Sequence, residues 1–174
     1  SSTSRGLGDV YKRQRLLPEN AVGLFNDYDV IVDGSDNFST RYLINDAAYL
    51  TGKIVVSGAL LRFEGQLTTF RGGAKGYAGE PCYRCLFTSP PNNLSGFRCE
   101  DVGIFGAVAG VIGTLQATEV LKELLGLGES MSGQLLIFDA MEMIFRKINY
   151  KRNMSCSLCG DTPTIKNISN EIIK

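Results

Sequence analysis

The chain has 174 residues, and its 18 lysines and arginines balance its 18 aspartates and glutamates, so the net charge is zero. That balance removes any bulk electrostatic case for a nucleic-acid or membrane-surface binder, and 44% hydrophobic content argues against a disordered chain. Histidine is absent, which excludes any mechanism that takes a histidine base or metal ligand from this chain.

Residues 1 to 14 show no periodicity and no apolar core of a secretory leader, and read as a disordered or foreign leader. Gly6-Leu7-Gly8 lacks a preceding strand and a following helix, so it makes a weak phosphate loop. A short helix is expected over 15–27, with Leu16, Leu17, Ala21 and Leu24 as its apolar positions. Residues 28–33 read as a fully buried strand, with Val30, Ile31 and Val32 between two aspartates. Gly34-Ser35-Asp36-Asn37 then turns the chain and offers an N-cap to a helix over 38–50, which Gly52 terminates. A second buried strand over 53–57 completes a βαβ unit.

A strand is expected over 65–70, and the glycines and prolines of 71–103 predict loop. The run from Ile104 to Leu115 is apolar but interrupted, shorter than the roughly 20 residues that cross a bilayer. It opens a helix over 104–125 whose Gly106, Gly110 and Gly113 form a small-residue face expected to lie tightly on a sheet. Strands over 134–139 and 143–150 follow.

Four of the five cysteines form two C-x-x-C pairs, Cys82/Cys85 and Cys156/Cys159. Without an export signal a reducing cytoplasm is the expected compartment, where such pairs bind metal or carry out chemistry. Four thiolates suit tetrahedral zinc with no open coordination position, a structural site that would staple two distant segments. Two unrelated pairs, buried or redox-active, are the alternative.

Asp36 falls beyond the carboxyl end of a strand, where open α/β sheets bind ligands. Arg41 and Asn45 follow four apart near the positive end of the next helix. That set is equipped to hold a metal–phosphate, with Mg²⁺ on Asp36 and phosphate or carboxylate oxygens on Arg41. From spacing alone, Asp36 capping the helix with Arg41 paired to it is the favoured reading. Arg62 to Gln66 reads as a charged turn, which a surface ion pair or turn-locking hydrogen bonds explain as well as a ligand would. Cys99 is unpaired between Arg98 and two acids, and is either a nucleophile on a loop or a spare thiol.

The segments Tyr28 to Asn37, Arg41, Asn45, Ser57-Gly-Ala, Glu64-Gly-Gln, Glu80 to Cys85, Gly110 to Glu119 and Cys156-x-x-Cys159 together resemble the ThiF/MoeB/HesA adenylyltransferases, bacterial relatives of ubiquitin-activating enzymes, and most of all the MoeB branch. The resemblance implies the C-terminal part of a Rossmann-like, doubly wound mixed α/β sheet with a structural four-cysteine zinc site. On that reading 1–14 is leader, 15–160 is the adenylating portion and 161–174 is a tail. It implies ATP-dependent adenylation of the C-terminal glycine of a ubiquitin-like sulfur-carrier protein, with pyrophosphate as co-product, in a homodimer of the molybdopterin or thiamine type. Asp36 matches the Mg–ATP aspartate, Asn37, Arg41 and Asn45 adjoining motif positions, the four paired cysteines the zinc ligands, and Cys99 a cysteine that in some members links covalently to the carrier. The family's opening G-x-G-G-x-G loop is not in this sequence, so the chain is expected to be an N-terminally truncated, inactive fragment. A zinc-stapled, non-catalytic module for a ubiquitin-like tail and a nicotinamide-dependent oxidoreductase are the competing classes.

Overall fold

The computed structural model describes residues 12–89 and 103–168. The elements in chain order are α1 (Pro18–Asn26), β1 (Val30–Asp33), α2 (Phe38–Thr51), β2 (Ile54–Leu61), β3 (Glu64–Phe70), α3 (Tyr83–Leu86), α4 (Gly106–Leu125), β4 (Gln134–Asp139) and β5 (Ile144–Asn149). The five strands form one sheet in the order β1-β2-β3-β4-β5. β1 and β2 run parallel across α2, as the βαβ pattern predicts, and the other three pairings are antiparallel.

Alternation along β2 separates the layers, because successive side chains leave opposite faces of a strand. Val55 joins a cluster with Phe25, Leu43 and Ala47 of the α1–α2 layer. Val56 joins Leu67 and Leu136 under Leu115 and Val120 of α4. The sheet is therefore covered by α1 and α2 on one face and by α4 on the other. β5 is exposed at every position, although the Phe145 ring stacks on Phe138 at 4.5 Å.

Local chemistry sets the element ends. Leu17 N–H donates to the Asn20 side chain to open α1, with Pro18 in the first turn. Gly52 and Gly126 end α2 and α4 in the left-handed conformation, at φ 70° and 64°. β2 runs four residues past the expected end because Leu61 pairs with Glu64 across a two-residue turn. In that turn Arg62 sits at φ 53° and its carbonyl accepts from Phe105 N–H at 3.0 Å, while Gln66 donates to Glu64 at 2.9 Å. Hydrogen bonds hold this turn, as one of the expected readings has it.

Two expectations are corrected. β1 is not fully buried, since Val32 is 54% exposed. The glycine face of α4 does not lie on the sheet: a Cβ at Gly106, Gly110 or Gly113 would meet nothing within 4 Å. The helix buries Val108, Ile112, Gln116 and Glu119 instead. Close approach comes from glycines on the strands, where a Cβ at Gly65 would lie 2.3 Å from Ile112 and one at Gly58 2.6 Å from Gln116. A glycine stripe on a helix thus marked open space, and single strand glycines marked contact. Burying Val108 and Ile112 beside Phe138 is worth about 1.5–3 kcal/mol per side chain, enough to seat the helix without its glycines.

Candidate functional site

β1 ends at the sheet's carboxyl edge, and four residues separate it from the start of α2. The helix is capped by Asn37, whose Oδ1 accepts from Thr40 N–H and the Ser39 hydroxyl, each at 2.8 Å. Asp36 is therefore not the cap, and the reading that confined it to capping is overturned. It is exposed, accepts a hydrogen bond from Asn37 Nδ2 at 3.1 Å, and lines a cavity of about 150 Å³. Arg41 lines the same cavity, with its Nε and Nη2 donating to the Ser35 carbonyl at 3.1 and 2.7 Å. Leu60, Ile104 and Ile112 supply apolar walls, and Gly58, Gly113 and Gln116 are also among the lining. The structure thus brings Asp36 and Arg41 together at the mouth of an apolar recess beside a helix N-terminus. Such an arrangement suits an anionic ligand with a divalent ion.

Asn37 and Asn45 are placed differently. Asn37 is occupied with the cap, and neither asparagine lines the cavity. Asn45 is 4% exposed; its Oδ1 accepts from Tyr83 N–H at 2.8 Å and its Nδ2 donates to Asp46 at 2.9 Å. Asp46 takes a bidentate pair from Arg84 at 2.8 and 2.6 Å, and that guanidinium lies 4.7 Å from the Tyr42 ring centre. The Tyr42 hydroxyl donates to the Phe87 carbonyl at 2.8 Å. The middle of α2 thereby grips the first C-x-x-C segment. Burial pushes the Tyr83 phenol up to about 12, and the Arg41 charge opposes that shift.

Cys82, Cys85, Cys156 and Cys159 converge, with all four sulfurs within 4.8 Å of one another. Sulfurs of Cys82 and Cys156 lie 3.7 Å apart, close to the separation of about 3.8 Å that tetrahedral Zn–S bonds of about 2.3 Å require. Cys85 and Cys159 are at 3.2 Å. The Cys156 hydrogen bond holds the Cys82 thiol above its usual range, while bonds from Cys159 and Cys82 hold Cys156 below it. Four sulfurs this close are a donor set that a metal ion would bind as thiolates. Asn153 N–H points at Cys85 Sγ at 3.3 Å, and Gly160 has no room for a Cβ, which would lie 2.4 Å from the Cys156 carbonyl. Leu158 and Ile165 close the knuckle with apolar cover. The donor set and its shape fit a structural zinc site.

Cys99 lies outside the described residues, as does the expected leader up to residue 11. Four buried contributors escape a reading by residue type: Asp33, Ser57, Gly58 and Gln116. Their signals were membership of short motifs, Asp33 in Tyr28 to Asn37, Ser57 and Gly58 in Ser57-Gly-Ala, and Gln116 in Gly110 to Glu119, none of which gave a role. No helix among the described residues is long and apolar enough to cross a membrane.

The ThiF family model matches residues 10–158. The chain is 48% identical over 150 residues to the sulfur carrier protein adenylyltransferase of Thermus thermophilus, covering 86% of this chain and 55% of that protein. It is also 48% identical over 158 residues to the adenylyltransferase and sulfurtransferase MOCS3 of Sus scrofa, covering 90% of this chain and 34% of that one. It therefore spans about half or less of the length of these relatives. Among solved structures, Escherichia coli MccB with ATP superposes with a TM-score of 0.67 at 17% identity, over 85% of this chain and 45% of that one, a likeness of fold. By sequence over most of its length and by its mixed sheet, this chain belongs to the ThiF family.

Proposed function

We propose that the chain is part of an enzyme that uses ATP to adenylate the C-terminal glycine of a ubiquitin-like sulfur-carrier protein. The observation that carries this reading is that Asp36 and Arg41 line one cavity, in a chain similar to proteins named for that activity. A carrier carboxylate oxygen attacks the α-phosphorus, the bond to the β-phosphate oxygen breaks, and pyrophosphate leaves. The carboxylate is already an anion, so the step needs no general base and a histidine-free chain is compatible with it. Positioning and charge stabilisation are what remain for the protein to supply. Asp36 is placed to hold Mg²⁺, which would neutralise phosphate charge, and Arg41 to meet phosphate or carboxylate oxygens. Zinc on the four cysteines has no open coordination position and takes no part in the chemistry. We assign the protein to the cytoplasm, where its thiols stay reduced, and to a homodimer joined through α4.

Carrier-dependent ATP–pyrophosphate exchange by the full-length protein tests the reading. Exchange is expected with an intact carrier and is lost when the carrier's terminal glycine is deleted. The 174-residue chain by itself is expected to show none, since no glycine-rich cradle for the phosphates is in its sequence. Exchange that ignores the carrier's terminus would overturn the assignment.

A further inference from the structure

Beneath the Asp36 loop lies a buried hydrogen-bond system that joins β1, β2, α2 and α4. Asp33 is the last residue of β1 and is 2% exposed. Its Oδ1 accepts from the Ser35 N–H at 2.9 Å and the Ser35 hydroxyl at 2.7 Å. Its Oδ2 accepts from the hydroxyl of Ser57 at 2.9 Å, its register partner on β2. From α4, Gln116 Nε2 donates to the Asp33 carbonyl at 2.7 Å and to the Val56 carbonyl at 3.2 Å, tying the tips of both parallel strands. Gly58 lets the amide sit there, because any Cβ would collide with it. Ser35, held at its nitrogen and hydroxyl, then presents its carbonyl to both Nε and Nη2 of Arg41.

We infer that Asp33, Ser57 and Gln116 are positioning residues of this site, which fix the Gly34–Asp36 loop and aim the Arg41 guanidinium through the Ser35 carbonyl. Their action on a nucleotide site rests on the reading proposed above; their action on the loop rests on geometry alone. The chemistry of the contacts supports placement as the role. Among the described residues every hydrogen-bond partner of the Asp33 carboxylate is a neutral donor, and Asp33 is not among the residues lining the cavity. A group acting by shape should tolerate loss of its charge. In Asp33→Asn, Oδ1 can still accept from Ser35 and Nδ2 can donate to a rotated Ser57 hydroxyl, leaving one amide N–H without a partner. In Asp33→Ala all three bonds go.

The test reads Arg41 directly in the ¹⁵N-labelled 174-residue chain. The Arg41 Nε–H should exchange with solvent at least about tenfold more slowly than exposed arginines, the effect of a hydrogen bond worth about 1.4 kcal/mol. That protection should vanish in Asp33→Ala, fall in Ser57→Ala and Gln116→Leu, and persist in Asp33→Asn. Where Asp33→Ala does not fold, Ser57→Ala, which deletes one hydroxyl, carries the comparison. In the full-length protein, Asp33→Ala should cut carrier-dependent exchange about 100-fold, and Asp33→Asn should restore it to within about fivefold of the parent, the span expected between a misplaced and a retained geometry. Undiminished Arg41 protection in folded Asp33→Ala and Ser57→Ala would overturn the brace. Equal damage from Asn and Ala would overturn placement in favour of charge. Protection that follows the expected order in a protein with no carrier-dependent exchange would instead overturn the adenylation reading, and with it the link to a nucleotide site.

Discussion

The cavity mouth and the sulfur knuckle are built on the same helix and finished in opposite ways. At its N-terminal end α2 leaves Asp36 exposed and Arg41 half-buried beside a recess. At its middle it buries Asn45 and Asp46, with hydrogen bonds to Tyr83 and Arg84 between the two cysteines of the first pair. Groups sealed from water with hydrogen-bond partners contribute stability and specificity of fold, whereas charged side chains left lining a cavity are open to a ligand. On the function proposed above, that difference separates scaffold from chemistry, and mutations should divide along it.

Removing the zinc proposed for the knuckle should have the largest effect. Zinc held by four thiolates in small folding units contributes on the order of 10 kcal/mol or more, comparable with the whole stability of a domain. Cys156→Ser, or a strong chelator, is expected to abolish bound zinc and the cooperative thermal transition together. Zinc by atomic emission and melting by calorimetry check this. A variant that loses zinc and keeps its melting temperature would erase the contrast drawn here.

Asp46→Ala comes next. The Asp46 and Arg84 side chains are 4% and 10% exposed, and deleting one partner of a buried pair leaves the other charge uncompensated. A loss of about 3–5 kcal/mol is expected in urea unfolding. Replacing both residues together, as Asp46→Leu with Arg84→Met, should recover much of that loss. A loss under 1 kcal/mol from Asp46→Ala would show that this end of α2 is not sealed.

Gly58→Ala tests the border between the two regions. The new Cβ would sit 2.6–3.0 Å from the Gln116 amide, and overpacking of this kind costs about 1–3 kcal/mol. Combining it with Gln116→Ala should give a non-additive result of about 0.5–3 kcal/mol, since the clash disappears with the amide. Strictly additive unfolding energies would mean that the two residues do not meet.

The scaffold was the more legible half. The expected elements are present within a few residues, because apolar periodicity and terminal glycines such as Gly52 are local signals. Two C-x-x-C pairs named the knuckle, although their separation said nothing of how the chain would bring them together. What stayed hidden depends on partners distant in sequence. Asn45 and Arg41 share a helix spacing, yet the backbone of Tyr83 claims Asn45. The α4 glycines and the strand glycines look alike in sequence, and only the register of β2 with β3 and the height of α4 above them decide which glycines a neighbour approaches. The same holds for Asp33, which reads as a strand terminus until Ser57 and Gln116 arrive from other elements.

The smallest effect on stability should come from the residue with the largest effect on chemistry. Asp36 does not cap α2, because Asn37 does, and it stands exposed at the recess. Asp36→Ala should therefore change the unfolding free energy by no more than about 0.5 kcal/mol, the usual range for an exposed side chain, and leave the zinc content of the chain at its parent value. In the full-length protein the same substitution should reduce carrier-dependent ATP–pyrophosphate exchange at least about 100-fold, as removal of a metal-holding or charge-stabilising group does. Asn37→Ala makes the matched control: it should cost about 1 kcal/mol as a lost cap. If Asp36→Ala destabilised the chain as much as Asn37→Ala and left exchange intact, the acidic tip would be part of the scaffold. The division of α2 into a sealed middle and a reactive end would then fail where it matters most.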